Sequence, residues 1–272
     1  MKKILVPIDF SKDSMNAFEL ALSIAKSTES ALKFIHVRKQ KEYANPFVIQ
    51  GHEKSYEQKV IDFCDKILVE HKNETDLDYL IKTGRIYREV INLAKSEKSD
   101  LIVMGTHGVS GFEEFWLGSN SYKVVSKSPC PVLSVRYGFK RKKIKKIILP
   151  IDAFVETRQK IPFTAEFASL LNAEVHIVDI RTTNQANIIK RLNNYADQAE
   201  KYFLKKNLKI IRQSEFGRSS ISDQTISYAV HVHADLISIS SGKRGAPLNI
   251  SPVTQLMVNH SPIPILTVPP VK

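Results

Sequence analysis

Three glycines and two serines stand where backbone amides could gather round an anion. Gly105-Thr106-His107-Gly108 follows the apolar run Leu101 to Met104, and nine residues later comes Gly118-Ser119-Asn120-Ser121, which reads directly into a segment of helical period. Glycine lets the backbone turn tightly and approach a ligand with no Cβ in the way, while a helix start offers unpaired N–H groups and the positive end of a dipole. Together these make an anion cradle, to which the Ser119 and Ser121 hydroxyls add donors for phosphate oxygens. Near the N-terminus, Pro7-Ile8-Asp9 closes another apolar run, and Asp9 supplies an acceptor suited to a ribose hydroxyl or an adenine amino group. The Val37 backbone closes a third run, where a base edge can lie. Taken singly these features are ordinary: Gly105 and Gly108 describe a strand-to-helix loop, and Asp9 a polar cap on the following helix. Their joint spacing is what points to a nucleotide. His107 reads as a hydrogen-bonding loop residue rather than a general base.

Such groups act together only if the chain brings them to one edge of a sheet, and the pattern around them predicts that it does. Short runs rich in branched residues alternate with segments of helical period. Strands are expected at Lys3 to Ile8, Leu32 to Val37, Leu77 to Ile81, Leu101 to Met104 and Val132 to Val135. Helices fall between them. The first begins at Ser11 or Asp13 and carries Ala17, Phe18, Ala21, Leu22 and Ala25 on one face; the others span about Glu53 to Glu70, Ile86 to Ser96 and Ser119 to Ser126. Strands apolar on both sides and separated by helices describe a parallel sheet covered on both faces, whose ligands sit beyond the carboxyl ends of the strands near the switch in strand order.

The same text is then written a second time. Lys2-Lys3-Ile4-Leu5-Val6-Pro7-Ile8-Asp9 returns as Lys145-Lys146-Ile147-Ile148-Leu149-Pro150-Ile151-Asp152, and Ser128-Pro129-Cys130-Pro131-Val132-Leu133 as Ser261-Pro262-Ile263-Pro264-Ile265-Leu266. Two tandem domains follow, residues 1–137 and 144–272, the boundary lying at Gly138 and the basic run Lys140 to Lys146. That run reads either as a solvated linker or as a docking site for phosphate-rich ligands. The second copy is degenerate in its motif. Ser240 and Lys243 replace the first two glycines, Ser251 and Pro252 stand where Gly118 and Ser119 do, and Ala153-Phe154-Val155 has lost the helix-entry Ser and Asp. Gly242-Lys243-Arg244-Gly245 could still meet an anion, but Pro252 removes a backbone donor.

A length of 272 residues with 43% hydrophobic and 25% charged residues suits two globular domains and excludes a disordered chain. No apolar run approaches the ~18 residues of a membrane span, and the two cysteines, Cys64 and Cys130, lie far apart, as suits a reducing cytoplasm. Forty Lys and Arg against 28 Asp and Glu give a net charge of +12, which favours anionic partners in general; no basic stripe interleaved with aromatics singles out nucleic acid.

Gly-x2-Gly-x9-Gly-Ser, preceded by Pro-x-Asp and followed by Ser-Pro-Cys-Pro-Val, resembles the ATP-binding branch of the universal stress protein family in a tandem arrangement. The resemblance runs through nearly the whole chain. It implies an α/β fold of two doubly wound, Rossmann-like five-stranded domains, whose final strands meet antiparallel across a two-fold axis to form a pseudo-dimer within the chain, any chain-to-chain homodimer being secondary. It also implies ATP, with Mg as phosphate counter-ion. Pro7, Ile8, Asp9, Val37 and Met104 would border the adenosine, Gly105 the ribose, and Gly108, Gly118, Ser119, Asn120 and Ser121 the triphosphate. No catalytic residue is assigned. The chain lacks a Gly-x4-Gly-Lys-Ser/Thr loop, and strand three ends Ile81-Lys82-Thr83-Gly84, where a phosphoacceptor receiver would need an Asp. The expected function is that of a regulatory ATP-binding module active in the first domain, with slow hydrolysis at most; the competing reading is a nucleotide-independent interaction scaffold.

Overall fold

The computed structural model describes residues 1–38, 49–106, 118–136, 138–217, 219–242 and 250–270, with the side chains of 49–56 left aside. The first half runs β1 (Lys3–Ile8), α1 (Lys12–Thr28), β2 (Ala31–Arg38), α2 (Ile49–His71), β3 (Leu77–Thr83), α3 (Ile86–Ser96), β4 (Leu101–Gly105), α4 (Ser119–Lys127) and β5 (Val132–Val135). The second runs β6 (Lys146–Ile151), α5 (Ile161–Leu171), β7 (Glu174–Arg181), α6 (Ala186–Lys205), β8 (Ile210–Phe216), α7 (Ile221–His231), β9 (Leu236–Ser240), α8 (Pro252–His260) and β10 (Ile265–Val268).

All ten strands join one sheet in the order β3-β2-β1-β4-β5-β10-β9-β6-β7-β8. Within each half every pairing is parallel, and the order is the doubly wound one with the switch beside the first strand. Among the described residues only β5 and β10 pair antiparallel, with Leu133 opposite Leu266 and Val132 opposite Thr267. The two Ser-Pro-x-Pro strands thus close each other's edges, and the sheet that results ends at β3 and β8. The expected internal pairing is present.

Packing follows the same symmetry. On one face α1, α2, α5 and α6 bury a single core running through both halves, from Phe18 and Phe34 across Leu133 and Leu266 to Phe167 and Phe203. On the other face there are two cores, α3 and α4 closing over Ile102 and Val132, and α7 and α8 over Ile237 and Ile265, with Ile250 of the second half buried in the first and Tyr122 packed against both. The predicted face of α1 is buried throughout, and its N-cap is Ser11, whose Oγ accepts from Ser14 N at 3.2 Å. α2 begins four residues earlier than its periodicity suggests.

A repeated anchor fixes each first strand. Asp100 Oδ2 accepts from the backbone of Lys2 and Lys3, and Asp235 Oδ2 from that of Lys145 and Lys146. The basic run is held rather than free: Arg141 Nη1 donates to Asp235 Oδ1 at 2.8 Å and to the His233 carbonyl, Lys142 pairs with Glu19 of the first half at 3.0 Å, and Ile144 is buried. Of its two readings, the described contacts favour a linker tied to both halves. Both thiols are buried, and burial pushes each pKa up to about 11, so neither Cys64 nor Cys130 is a thiolate at neutral pH. Among the described residues no helix is long and apolar enough to cross a membrane.

Candidate functional site

The crevice of the first half opens because β1 and β4 part. They pair only at Ile4 with Leu101 and Leu5 with Ile102, so Pro7, Ile8 and Asp9 on one side and Met104 and Gly105 on the other lie beyond the last ladder pairing. β2 overhangs the end of β1, since Ile8 pairs with His36 and the strand continues through Val37 to Arg38. These six predicted residues therefore gather at the carboxyl edge of the sheet, at the switch point. Gly118, Ser119, Asn120 and Ser121 join them because Gly118 N donates to the Thr106 carbonyl at 3.0 Å, bringing the start of α4 against the end of β4. Gly108 and His107 lie outside the described residues.

Gly118 is the N-cap of α4, and among the described residues no side chain caps this helix. Among those residues nothing takes up its first amides, and Ser119 is exposed beside them. A Cβ on Gly118 would stand 3.3 Å from the Thr106 oxygen, so glycine lets the start of α4 lie close against the end of β4.

Two expected roles change in detail. Ser121 is buried and its hydroxyl donates to the Gly105 carbonyl at 3.2 Å, so it locks α4 to β4 instead of offering its proton to a phosphate. Gly105 is small for its neighbour as much as for a ligand: a Cβ there would meet the backbone carbon of Asp13 at 2.8 Å. The absence of that Cβ lets the first turn of α1 settle over β4. Asp9 serves as a turn residue, Oδ1 accepting from Ser11 N at 3.1 Å and Ser11 Oγ at 2.5 Å, while its own N–H donates to Ser14 Oγ at 3.3 Å. Asp9 thus braces the capping residue Ser11 rather than capping α1 itself.

The second half builds the same scaffold and closes it. Ser251 N donates to the Ser241 carbonyl at 3.0 Å, matching Gly118 and Thr106, and Thr254 Oγ1 donates to the Ser240 carbonyl, matching Ser121 and Gly105. At the helix start, however, Ser251 Oγ accepts from Thr254 N at 3.1 Å and Pro252 has no N–H to give. Two of the amides that α4 offers are thereby missing or taken in α8. Ser240, standing where Gly105 does, would collide with a helix entering as α1 does; here a 3-10 turn at Val155–Arg158 replaces that entry, the Ser240 hydroxyl donates to the Glu156 carbonyl at 2.8 Å, and α5 starts only at Ile161. Loss of the glycine and delay of the helix are one structural change. Residues 243–249, with most of the Gly242 to Gly245 segment, lie outside the described residues.

Fold and crevice together define a tandem pair of doubly wound α/β domains joined edge to edge. Comparison with known proteins gives the same class and a family. The model of the Universal stress protein family matches residues 1–136. The universal stress protein YxiE of Bacillus subtilis is 31% identical over 147 residues, covering 49% of this chain and 98% of that protein. One from Thermus aquaticus is 33% identical over 140 residues, covering 50% and 98%. A universal stress protein structure from Archaeoglobus fulgidus matches with a TM-score of 0.73 over 98% of both chains at 16% identity, a likeness of fold that includes both halves. The chain belongs to the universal stress protein family.

Proposed function

We propose that the protein is a cytoplasmic regulatory module of the stress response that binds ATP in one domain only, the domains being residues 1–137 and 144–272. The observation that carries this reading is the contrast between the two α-helix starts at equivalent places: α4 begins at a glycine with no side-chain cap among the described residues, α8 at a serine that caps its own helix and a proline. An open helix N-terminus at a switch point suits phosphate, and one whose amides are missing or taken does not.

In the first domain Gly118, Ser119 and Asn120 would take the phosphates through backbone amides and the Ser119 hydroxyl, with Gly108 contributing from the preceding loop. The open amides fit a triphosphate, whose remaining charge Mg would balance. Pro7, Ile8, Val37, Met104 and Gly105 would wall the adenosine, and Asp9 would meet its polar groups from the β1 edge. ATP supplies occupancy here, not chemistry: no residue is assigned to catalysis, and the bound and free states are the signal. The pairing of β5 with β10 leaves a second chain no edge at the seam, so association between chains would use other surfaces.

The test is release of small molecules from the purified protein by heat, with identification by mass. An adenine nucleotide at up to one equivalent is expected. Protein that carries none and takes up none from Mg-ATP would favour the scaffold reading.

A further inference from the structure

Although its helix start is closed to phosphate, the second half is not solid. A cleft of about 230 Å³ lies at its switch point between the end of β6, the end of β9, the 3-10 turn and α8. A neighbouring cleft of about 200 Å³ has aliphatic walls at Ile180, Ile188 and Leu192 and a polar rim that includes Arg181 and Arg191. The two share Asp152, Phe154 and Ile221, and Phe154 stands at their common border 58% exposed.

The floor of the larger cleft carries a buried cation that the first half lacks. Asp9 N donates to Ser14 Oγ and Asp152 N to Thr157 Oγ1, both at 3.3 Å, so Ser14 and Thr157 correspond; three residues on, Ala17 corresponds to Lys160. Lys160 is 3% exposed. Among the described residues its ammonium makes one hydrogen bond, to Thr157 Oγ1 at 2.9 Å, and feels the Asp152 carboxylate without a hydrogen bond to it. Two of its three donors have no acceptor among those residues. Burial lowers its pKa to about 8, which still leaves most of it charged at pH 7. A buried ammonium with spare donors is costly unless something accepts from it.

We infer that this cleft is a ligand site in its own right, for a small organic carboxylate with an apolar body, the carboxylate on the Lys160 ammonium and the body against Ile221, Ile239 and Met257 toward the aliphatic cleft. A phosphate ligand is disfavoured by the absent Pro252 N–H and the Ser251 cap, and a cationic one by Lys160 itself. The acidic groups at the cleft are Asp152 and Glu156. Burial pushes the Asp152 carboxyl up, against the opposing pull of the Lys160 ammonium, so Asp152 is the weaker of the two charges toward a carboxylate ligand.

Titration of the full chain with sodium hexanoate, followed by methyl chemical shifts, tests the site, with hexanamide as the uncharged counterpart and inorganic phosphate as competitor. Saturable shifts at Ile221, Ile239 and Met257 are expected, at least tenfold weaker binding of hexanamide, and no displacement by phosphate. Lys160→Met, which keeps the volume, should cost at least tenfold in hexanoate affinity; Ile239→Trp, which keeps the lysine but fills the cleft, should cost as much. Mg-ATP affinity should be unchanged in both variants, which separates failure here from failure of the nucleotide reading. Absence of hexanoate binding, or equal binding by the wild type and Lys160→Met, would overturn the inference and leave Lys160 a structural group.

Discussion

Replacing Gly118 and Ser119 by the pair that the second half carries, serine and proline, should weaken Mg-ATP binding by at least thirtyfold, about 2 kcal/mol, while leaving the fold intact. The backbone already suits the change. Gly118 has φ −52° and ψ 142°, Ser251 φ −62° and ψ 151°, and each donates its N–H to the end of the preceding strand at 3.0 Å. A serine there would accept from an amide of the first turn, as Ser251 does, and a proline at the first helical position is favourable to a helix while removing an N–H. The 3.3 Å approach of the new Cβ to the Thr106 oxygen asks for a shift of a few tenths of an ångström. Both substitutions therefore support the helix as they close it to anions, so melting temperature and affinity should part company. Isothermal titration with Mg-ATP and a thermal melt read the two separately. Unchanged affinity would remove the start of α4 from the site.

The seam should be as sensitive as any position in the molecule. Leu133 is fully buried, lies opposite Leu266 in the antiparallel pairing of β5 with β10, and belongs to the core that runs through both halves. Leu133→Lys forces an ammonium into that core, at a cost on the order of 4 kcal/mol or more, equivalent to a fall of about 10 °C in melting temperature for a chain of this size. Because Arg141 and Lys142 hold the linker to Asp235 and Glu19, loosening the halves should also free the linker. New tryptic cleavage between residues 140 and 146 is expected, with Leu133→Met as a control that leaves both readings unchanged. If Leu133→Lys melts as the wild type does and its linker is no more cleavable, the seam does not hold the halves together.

Much of this was legible in the sequence because the signals were redundant. Branched apolar runs at regular intervals carry strand identity whatever the tertiary context, and writing the pattern twice exposed the tandem architecture. The Ser-Pro-x-Pro start marked β5 and β10 as edges that needed covering. What stayed hidden depends on neighbours distant in sequence. Gly105 looks like a ligand-facing glycine until α1 is seen to place Asp13 within 2.8 Å of its missing Cβ. Ser121 looks like a phosphate donor until its hydroxyl is found on the Gly105 carbonyl. The lost caps at Ala153 to Val155 announced a changed helix entry, but not that Ser240 would fill the vacated space. Lys160 gave no signal, since a lysine in a helical segment is ordinarily solvated, and only the correspondence with Ala17 shows that it points inward.

The central claim is asymmetry: two copies of one scaffold, one open to a triphosphate and one closed. Calorimetric titration of nucleotide-stripped full-length protein with Mg-ATP counts the open sites directly. A stoichiometry near one per chain is predicted, unchanged in Lys160→Met and lost on replacing Gly118 and Ser119 by serine and proline. A stoichiometry near two, with both sites of similar affinity, would contradict it.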